Sequence, residues 1–120
     1  MQLSEVAANF EEWPERWMGL EEDLEYGRGL LEAMRPFAES LIVSGMSIST
    51  IRRHLASLWL LGGEIIHEVS LFEEYEVPPL EKLQQSVDVE GGPLCRHVSS
   101  PSEAASFDRT CRKLAKFLDA

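Results

Sequence analysis

The feature that most constrains this chain is a helix signal that starts sharply near residue 47. Ser47 or Ser49 can cap the helix, and apolar side chains recur at helical spacing from Ile51 to Val69. The Gly62-Gly63 pair interrupts that pattern, and it would cost about 2 kcal/mol inside a continuous helix. We therefore expect a kink or a close helix crossing at this pair, with another backbone nearby.

The rest of the chain also shows helical signals, and no stretch has the alternation typical of a strand. Pro36 disfavours a helical Arg35 and suits the first position of a new helix, which we expect to stop at Gly45. The helical segments expected besides the central one are residues 20–34, 36–43, 80–87 and 102–118. The sequence predicts an all-α fold, a small orthogonal bundle of four to five short helices.

Charge is distributed unevenly along these 120 residues. The chain carries 21 acidic and 11 basic side chains, a net charge of −10, and nine of the acids lie in residues 1–33. Such a balance repels phosphate backbones and anionic membranes at long range, so DNA contact requires a locally basic face. No apolar stretch approaches the ~20 residues that span a bilayer, so we expect no membrane association.

A motif in residues 36–66 carries a resemblance to a known family. It consists of Phe37-x-x-x-Leu41, Gly45-x-Ser47-x-x-Thr50-Ile51-Arg52-Arg53-His54-Leu55 and Leu58-x-x-Leu61. It resembles the first helical hairpin of the core-binding domain of tyrosine recombinases, the phage-integrase-like family. Residues 108–118 look like the helix that closes that domain. The resemblance implies a core-binding (N-terminal, SAM-like) domain over residues 34–120, preceded by an acidic helical segment over residues 1–33, in one compact unit.

The same resemblance implies one arm of a clamp around duplex DNA, with basic residues at helix starts touching phosphates. The catalytic half of the family, which carries a nucleophilic tyrosine, would follow residue 120, and neither Tyr26 nor Tyr75 matches its motif. We find no phosphate loop or nucleophile elbow, and we expect the paired carboxylates to be solvated. We therefore expect a noncatalytic protein without a cofactor.

Two basic clusters are the candidate DNA contacts. A helix start offers free N–H groups and hydroxyls to a phosphate, and an anion would compensate cations that the helix dipole there disfavours. The candidate residues are Ser47, Thr50, Arg52, Arg53, Arg109, Arg112, Lys113 and Lys116. One alternative is that these cations pair with the abundant glutamates on a solvated surface. Another is a helix-turn-helix whose recognition helix begins at Ser47.

A rival function places the contact surface in the acidic N-terminal segment. Trp13 and Trp17 could anchor that segment in a partner's groove, although they could equally pack on their own domain. The alternative is thus an acidic helical protein-interaction domain without DNA affinity.

The cysteines and histidines complete the sequence predictions. Cys95, His97 and Cys111 are too few and badly spaced for structural zinc, so we expect no metal. Cys111 is expected in the core and Cys95 in an exposed loop, while His54 is expected at the surface or the core edge. Two cysteines make no disulfide framework, and the first residues do not resemble a signal peptide, so a cytoplasmic location is expected.

Overall fold

The computed structural model describes residues 1–119. Its helices are α1 (Leu3–Val6), α2 (Trp13–Trp17), α3 (Glu21–Ile42), α4 (Ile48–Phe72), α5 (Pro79–Ser86) and α6 (Pro101–Asp119), with a 3-10 turn at Phe10–Glu12. Residues 1–119 form no strand, and Asp88 and Gly91 make an isolated bridge. The predicted small all-α bundle is confirmed. Residues 1–119 form six helices where four to five were expected, and α3 and α4, with 22 and 25 residues, are longer than the short helices that the sequence predicted.

Helix α4 is the central element. The Ser47 side chain accepts a hydrogen bond from the Thr50 amide at 3.2 Å, which confirms one of the two caps expected from the sequence. Its buried apolar residues face α2, α3, α5 and α6, all of which pack against it. The helix ends at Glu73, whose φ of 53° lies in the left-handed region.

Helix α4 continues through the glycine pair instead of ending there. The indole of Trp17 lies directly on Gly62, and its Nε1 donates a hydrogen bond to the Trp59 carbonyl at 3.0 Å. The expected close approach is therefore present, but the approaching group is a side chain and not a backbone. A glycine at this position lets the aromatic ring lie against the helix axis.

The predicted break at Pro36 is wrong. Helix α3 runs through Pro36 and crosses residue 33, where the sequence analysis placed the end of the acidic segment. A proline inside a helix removes one backbone hydrogen bond. Here Leu30, Met34 and Phe37 are fully buried on both sides of the proline, so one continuous apolar face holds the two halves of the helix in line.

The connection between α5 and α6 packs tightly on α6. Gly91 has a φ of 138°, and Gly92 lies so close to Cys111 that a Cβ there would approach its Sγ to 2.5 Å. Cys95, which belongs to this connection, is buried, so its expected exposure is wrong, whereas the predicted burial of Cys111 is confirmed. The loop therefore extends the core instead of lying free over the surface.

Helix α4 contradicts the expectation that no apolar stretch is long enough to span a bilayer. It is long and apolar enough to cross a membrane by length and composition, and half of its most apolar 18-residue window is buried inside the protein. A buried core helix meets the same criteria, and the packing of four other helices on α4 accounts for its composition.

The Trp17 contact predicts opposite effects of alanine at the two glycines. A Cβ at Gly62 would overlap the Trp17 ring, so we expect Gly62→Ala to lower the free energy of unfolding by about 1–3 kcal/mol. A Cβ at Gly63 would lie 3.6 Å from the ring, an ordinary contact, so Gly63→Ala is expected to stabilise by up to about 1 kcal/mol. Urea unfolding followed by circular dichroism measures both, and equal effects would contradict the contact.

Candidate nucleic-acid interface

The eleven basic residues fall into two groups. Five of them form ion pairs with carboxylates: Arg16, Arg28, Arg35, Lys82 and Arg96. The other six are exposed and make no ion pair with any carboxylate of residues 1–119: Arg52, Arg53, Arg109, Arg112, Lys113 and Lys116. The unpaired group is the same set that the sequence analysis selected as cations. The alternative that these cations pair with glutamates does not hold within the described chain.

Four of the unpaired cations form one face of α6. Arg109, Arg112, Lys113 and Lys116 follow the i, i+3, i+4, i+7 spacing of one helix face. They line an open groove of about 1000 Å³ that the end of α5 and the following loop complete. The opposite face of α6 is buried in the core, so the cations cannot turn inward.

Two acidic side chains share the groove with these cations. Asp88 and Asp119 both line it. The Asp88 carboxylate accepts hydrogen bonds from the Glu90 amide at 2.8 Å and from the Gly91 amide at 3.2 Å, so the turn after α5 holds it in place. Positive charge therefore predominates in the groove, by four cations to two carboxylates.

Helix α4 adds His54 to this groove. His54 is buried at the groove wall, where its Nδ1 and the Thr110 hydroxyl are hydrogen-bonded at 2.8 Å. Burial lowers the pKa of His54 below its usual 6.5, and the nearby positive charges of Lys113, Arg53 and Arg109 lower it further. Three cations from two helices thus surround one neutral imidazole.

Arg52 belongs to a different surface. It lines a separate groove of about 370 Å³ between α4 and the N-terminal segment, together with Asn9, Arg16 and Trp59. Successive residues of a helix point about 100° apart, which separates Arg52 from Arg53. The predicted two-arginine cluster is therefore divided: Arg52 lines this separate groove, whereas the charge of Arg53 lies near His54.

Ser47 and Thr50 are engaged with each other at the start of α4. The Ser47 hydroxyl lies 2.9 Å from the Thr50 hydroxyl and also accepts from the Thr50 amide. A phosphate at this helix start would compete with those bonds. Their local role is the helix cap.

The two tryptophans of the N-terminal segment pack on their own domain. Trp13 is buried with Phe10, and their ring centroids are 4.6 Å apart, so Trp13 is not exposed to a partner as the sequence prediction required. Trp17 is partly buried over Gly62. A short chain needs this apolar area for its own core.

His54 is the groove residue that the sequence analysis did not select. It occupies a core-edge position on α4, and its partner Thr110 lies 56 residues away on α6. The useful signal is that both are polar residues on otherwise buried helix faces, since buried polar groups need hydrogen-bond partners.

The two tyrosines and Cys111, which could in principle react, make contacts that belong to the fold. The Tyr26 hydroxyl donates to the Val77 carbonyl at 2.7 Å, and the Tyr75 hydroxyl donates to Asp23 at the same distance. Burial raises the pKa of the Cys111 thiol to about 12, which makes it a poor nucleophile. Residues 1–119 contain no group of three or more metal-ligand side chains placed to hold an ion.

Comparison of this chain with family models, with curated proteins and with solved structures finds no match.

The environment of His54 predicts a pH effect on stability. Because the folded-state pKa of His54 lies below 6.5, the unfolded chain takes up this proton first as the pH falls. The free energy of unfolding should therefore decrease as the pH is lowered through about 6.5, and His54→Gln should lose that part of the decrease. Urea unfolding between about pH 7.5 and 5.5 compares the two proteins. The same pH slope in both would contradict the burial of a neutral imidazole.

Proposed function

We propose that this protein is a noncatalytic helical module that contacts duplex DNA through the α6 groove. The observation that carries the proposal is the set of six cations that make no ion pair with a carboxylate of residues 1–119, in a chain of net charge −10. With 21 acids in the chain, four of the six lie along one face of α6 and line its groove. Unpaired cations in a groove are the usual partners of phosphate groups.

The spacing of these cations suits a duplex backbone. Residues 109 to 116 span about 10 Å along α6 at about 1.5 Å per residue. A duplex presents one phosphate charge per ~1.7 Å of its axis, so a row of this length faces several phosphates. Side chains that contact phosphates fix position and orientation and carry no base sequence, so we expect binding without strong sequence preference.

The resemblance to the core-binding domain of tyrosine recombinases supports the same function. In that family this domain is one arm of a clamp on duplex DNA, and residues 108–118 are the stretch that looks like its closing helix. Four of the groove cations lie in that stretch.

The acidic remainder of the molecule limits how DNA approaches. A surface of negative charge repels phosphates, so the α6 groove is the face that a duplex can reach. We expect weak binding that is strongest at low salt, since each cation that neutralises a phosphate releases a counterion.

Removal of two groove cations tests this proposal. Arg112→Gln with Lys116→Gln should weaken binding of a random duplex by more than about tenfold at low salt. It should also reduce the slope of log K against log [salt] by about 2, since each lost phosphate contact removes about 0.9. Fluorescence anisotropy of a labelled duplex, titrated at several salt concentrations, measures both quantities.

The chain offers a control with the same net charge. Arg16→Gln with Arg28→Gln also removes two exposed cations, but Arg16 and Arg28 pair with Glu12 and Glu25 on their own helices and lie outside the groove. This control should bind DNA like the unaltered protein. Equal losses in both variants would show that only overall charge matters, and no binding at low salt would overturn the DNA proposal in favour of the acidic interaction domain.

A further inference from the structure

Three large apolar side chains stand exposed together at the far end of α4. Leu71 and Phe72 in the last turn are 62% and 65% exposed, and Leu94 in the loop before α6 is 93% exposed. They line one groove of about 210 Å³ with Ile65 and Pro93. Single exposed apolar residues are ordinary, but a group that shares a groove is typical of a binding surface. We call these residues and their groove the apolar end.

The apolar end is held rigidly. The Glu74 amide donates to the Val69 carbonyl at 2.9 Å, which fixes the close of α4. The amide and Nε of Arg96 donate to Glu64 at 3.1 and 3.2 Å, which anchors the loop that carries Leu94. A groove whose walls are already ordered loses little conformational entropy when a partner binds.

Acidic residues border the apolar end: Glu64 and Glu68 line its groove, and Glu73 directly follows Phe72. Residues 64–81 contain six glutamates and no lysine or arginine. Arg96 pairs with Glu64, while the single charge of Lys82 is shared between Glu68 at 3.0 Å and Glu74 at 2.9 Å. Glu73, Glu76 and Glu81 make no ion pair within residues 1–119. The negative end of the α4 dipole adds to this field.

The negative charge near the apolar end indicates which kind of partner can bind there. A second copy of this chain would bring two acidic rims together, and like charges across an interface disfavour association. A duplex is repelled for the same reason. A segment that carries both apolar anchors and positive charge complements the groove and its rim.

We propose that the apolar end docks a basic amphipathic helix of another protein, with leucine or phenylalanine anchors in the groove and lysine or arginine against the glutamates. A helix in a groove presents such anchors at i, i+3, i+4 and i+7. The two grooves share no lining residue, although they adjoin at the end of α5, where Ser86 lines this groove and Val87 lines the α6 groove. This surface does not depend on the DNA proposal.

A labelled amphipathic peptide, LKKLLKLLKKLLKL, is the probe. We expect saturable binding to the unaltered protein, followed by fluorescence anisotropy. The double substitution Leu71→Ser and Phe72→Ser should weaken it at least about tenfold, because it removes apolar area that each anchor would bury. Both side chains are exposed, so the variant should keep the unfolding transition and the DNA affinity of the parent protein.

The matched control replaces two exposed valines at other places. Val43 follows α3 and is 83% exposed, and Val89 borders the α6 groove and is 85% exposed. Val43→Ser with Val89→Ser should bind the peptide within about twofold of the unaltered protein. A peptide with serine in place of every leucine, SKKSSKSSKKSSKS, should bind much more weakly.

Three results would overturn the proposal. Absence of binding to the leucine peptide would exclude a basic amphipathic partner. Equal binding of the serine peptide, or equal losses in the two variants, would reduce the interaction to general charge attraction. Sedimentation showing a dimer that Leu71→Ser and Phe72→Ser dissociate would assign the surface to a second copy of the chain.

Discussion

The contact between the Trp17 ring and Gly62 holds the N-terminal segment of the molecule against α4. Because Gly62 has no Cβ, the indole reaches the α4 backbone and donates its hydrogen bond to Trp59. Helix α2 is thereby held against α4, and Phe10 and Trp13 are buried with it. The aromatic side chains of the N-terminal segment thus contribute to the core of the molecule.

The unpaired state of the α6 cations has a local cause. An ion pair within a helix needs an acid three or four residues away, and Asp108 is the acid at that spacing from Arg112. The Asp108 carboxylate is instead directed to the loop, where it accepts a hydrogen bond from the Gly92 amide at 3.2 Å. The loop at Gly92 thus engages the one carboxylate that lies at helical spacing from Arg112. A row of positive charge therefore remains along α6 in a chain rich in acids.

The sequence predicts those parts of the fold that depend on neighbours along the chain. The capping of α4 by Ser47 and the burial of Cys111 follow from local spacing, and the structure confirms both. The course of α3 through Pro36 and the burial of Cys95 depend on helices and loops distant in sequence, so local patterns could not show them. For the candidate site, the α6 spacing was readable from the sequence, but the separation of Arg52 from Arg53 required the packing around α4.

The two proposed surfaces are joined by one buried helix. Helix α4 contributes His54 to the basic groove near its start and Phe72 to the apolar end at its close, and its middle is held by packing on several sides. A helix packed in this way does not bend or slide without disrupting the core. The two grooves also adjoin at the end of α5, where Ser86 lines the apolar groove and Val87 lines the α6 groove. Because α4 and α5 both pack in the core, the position of each groove is fixed relative to the other.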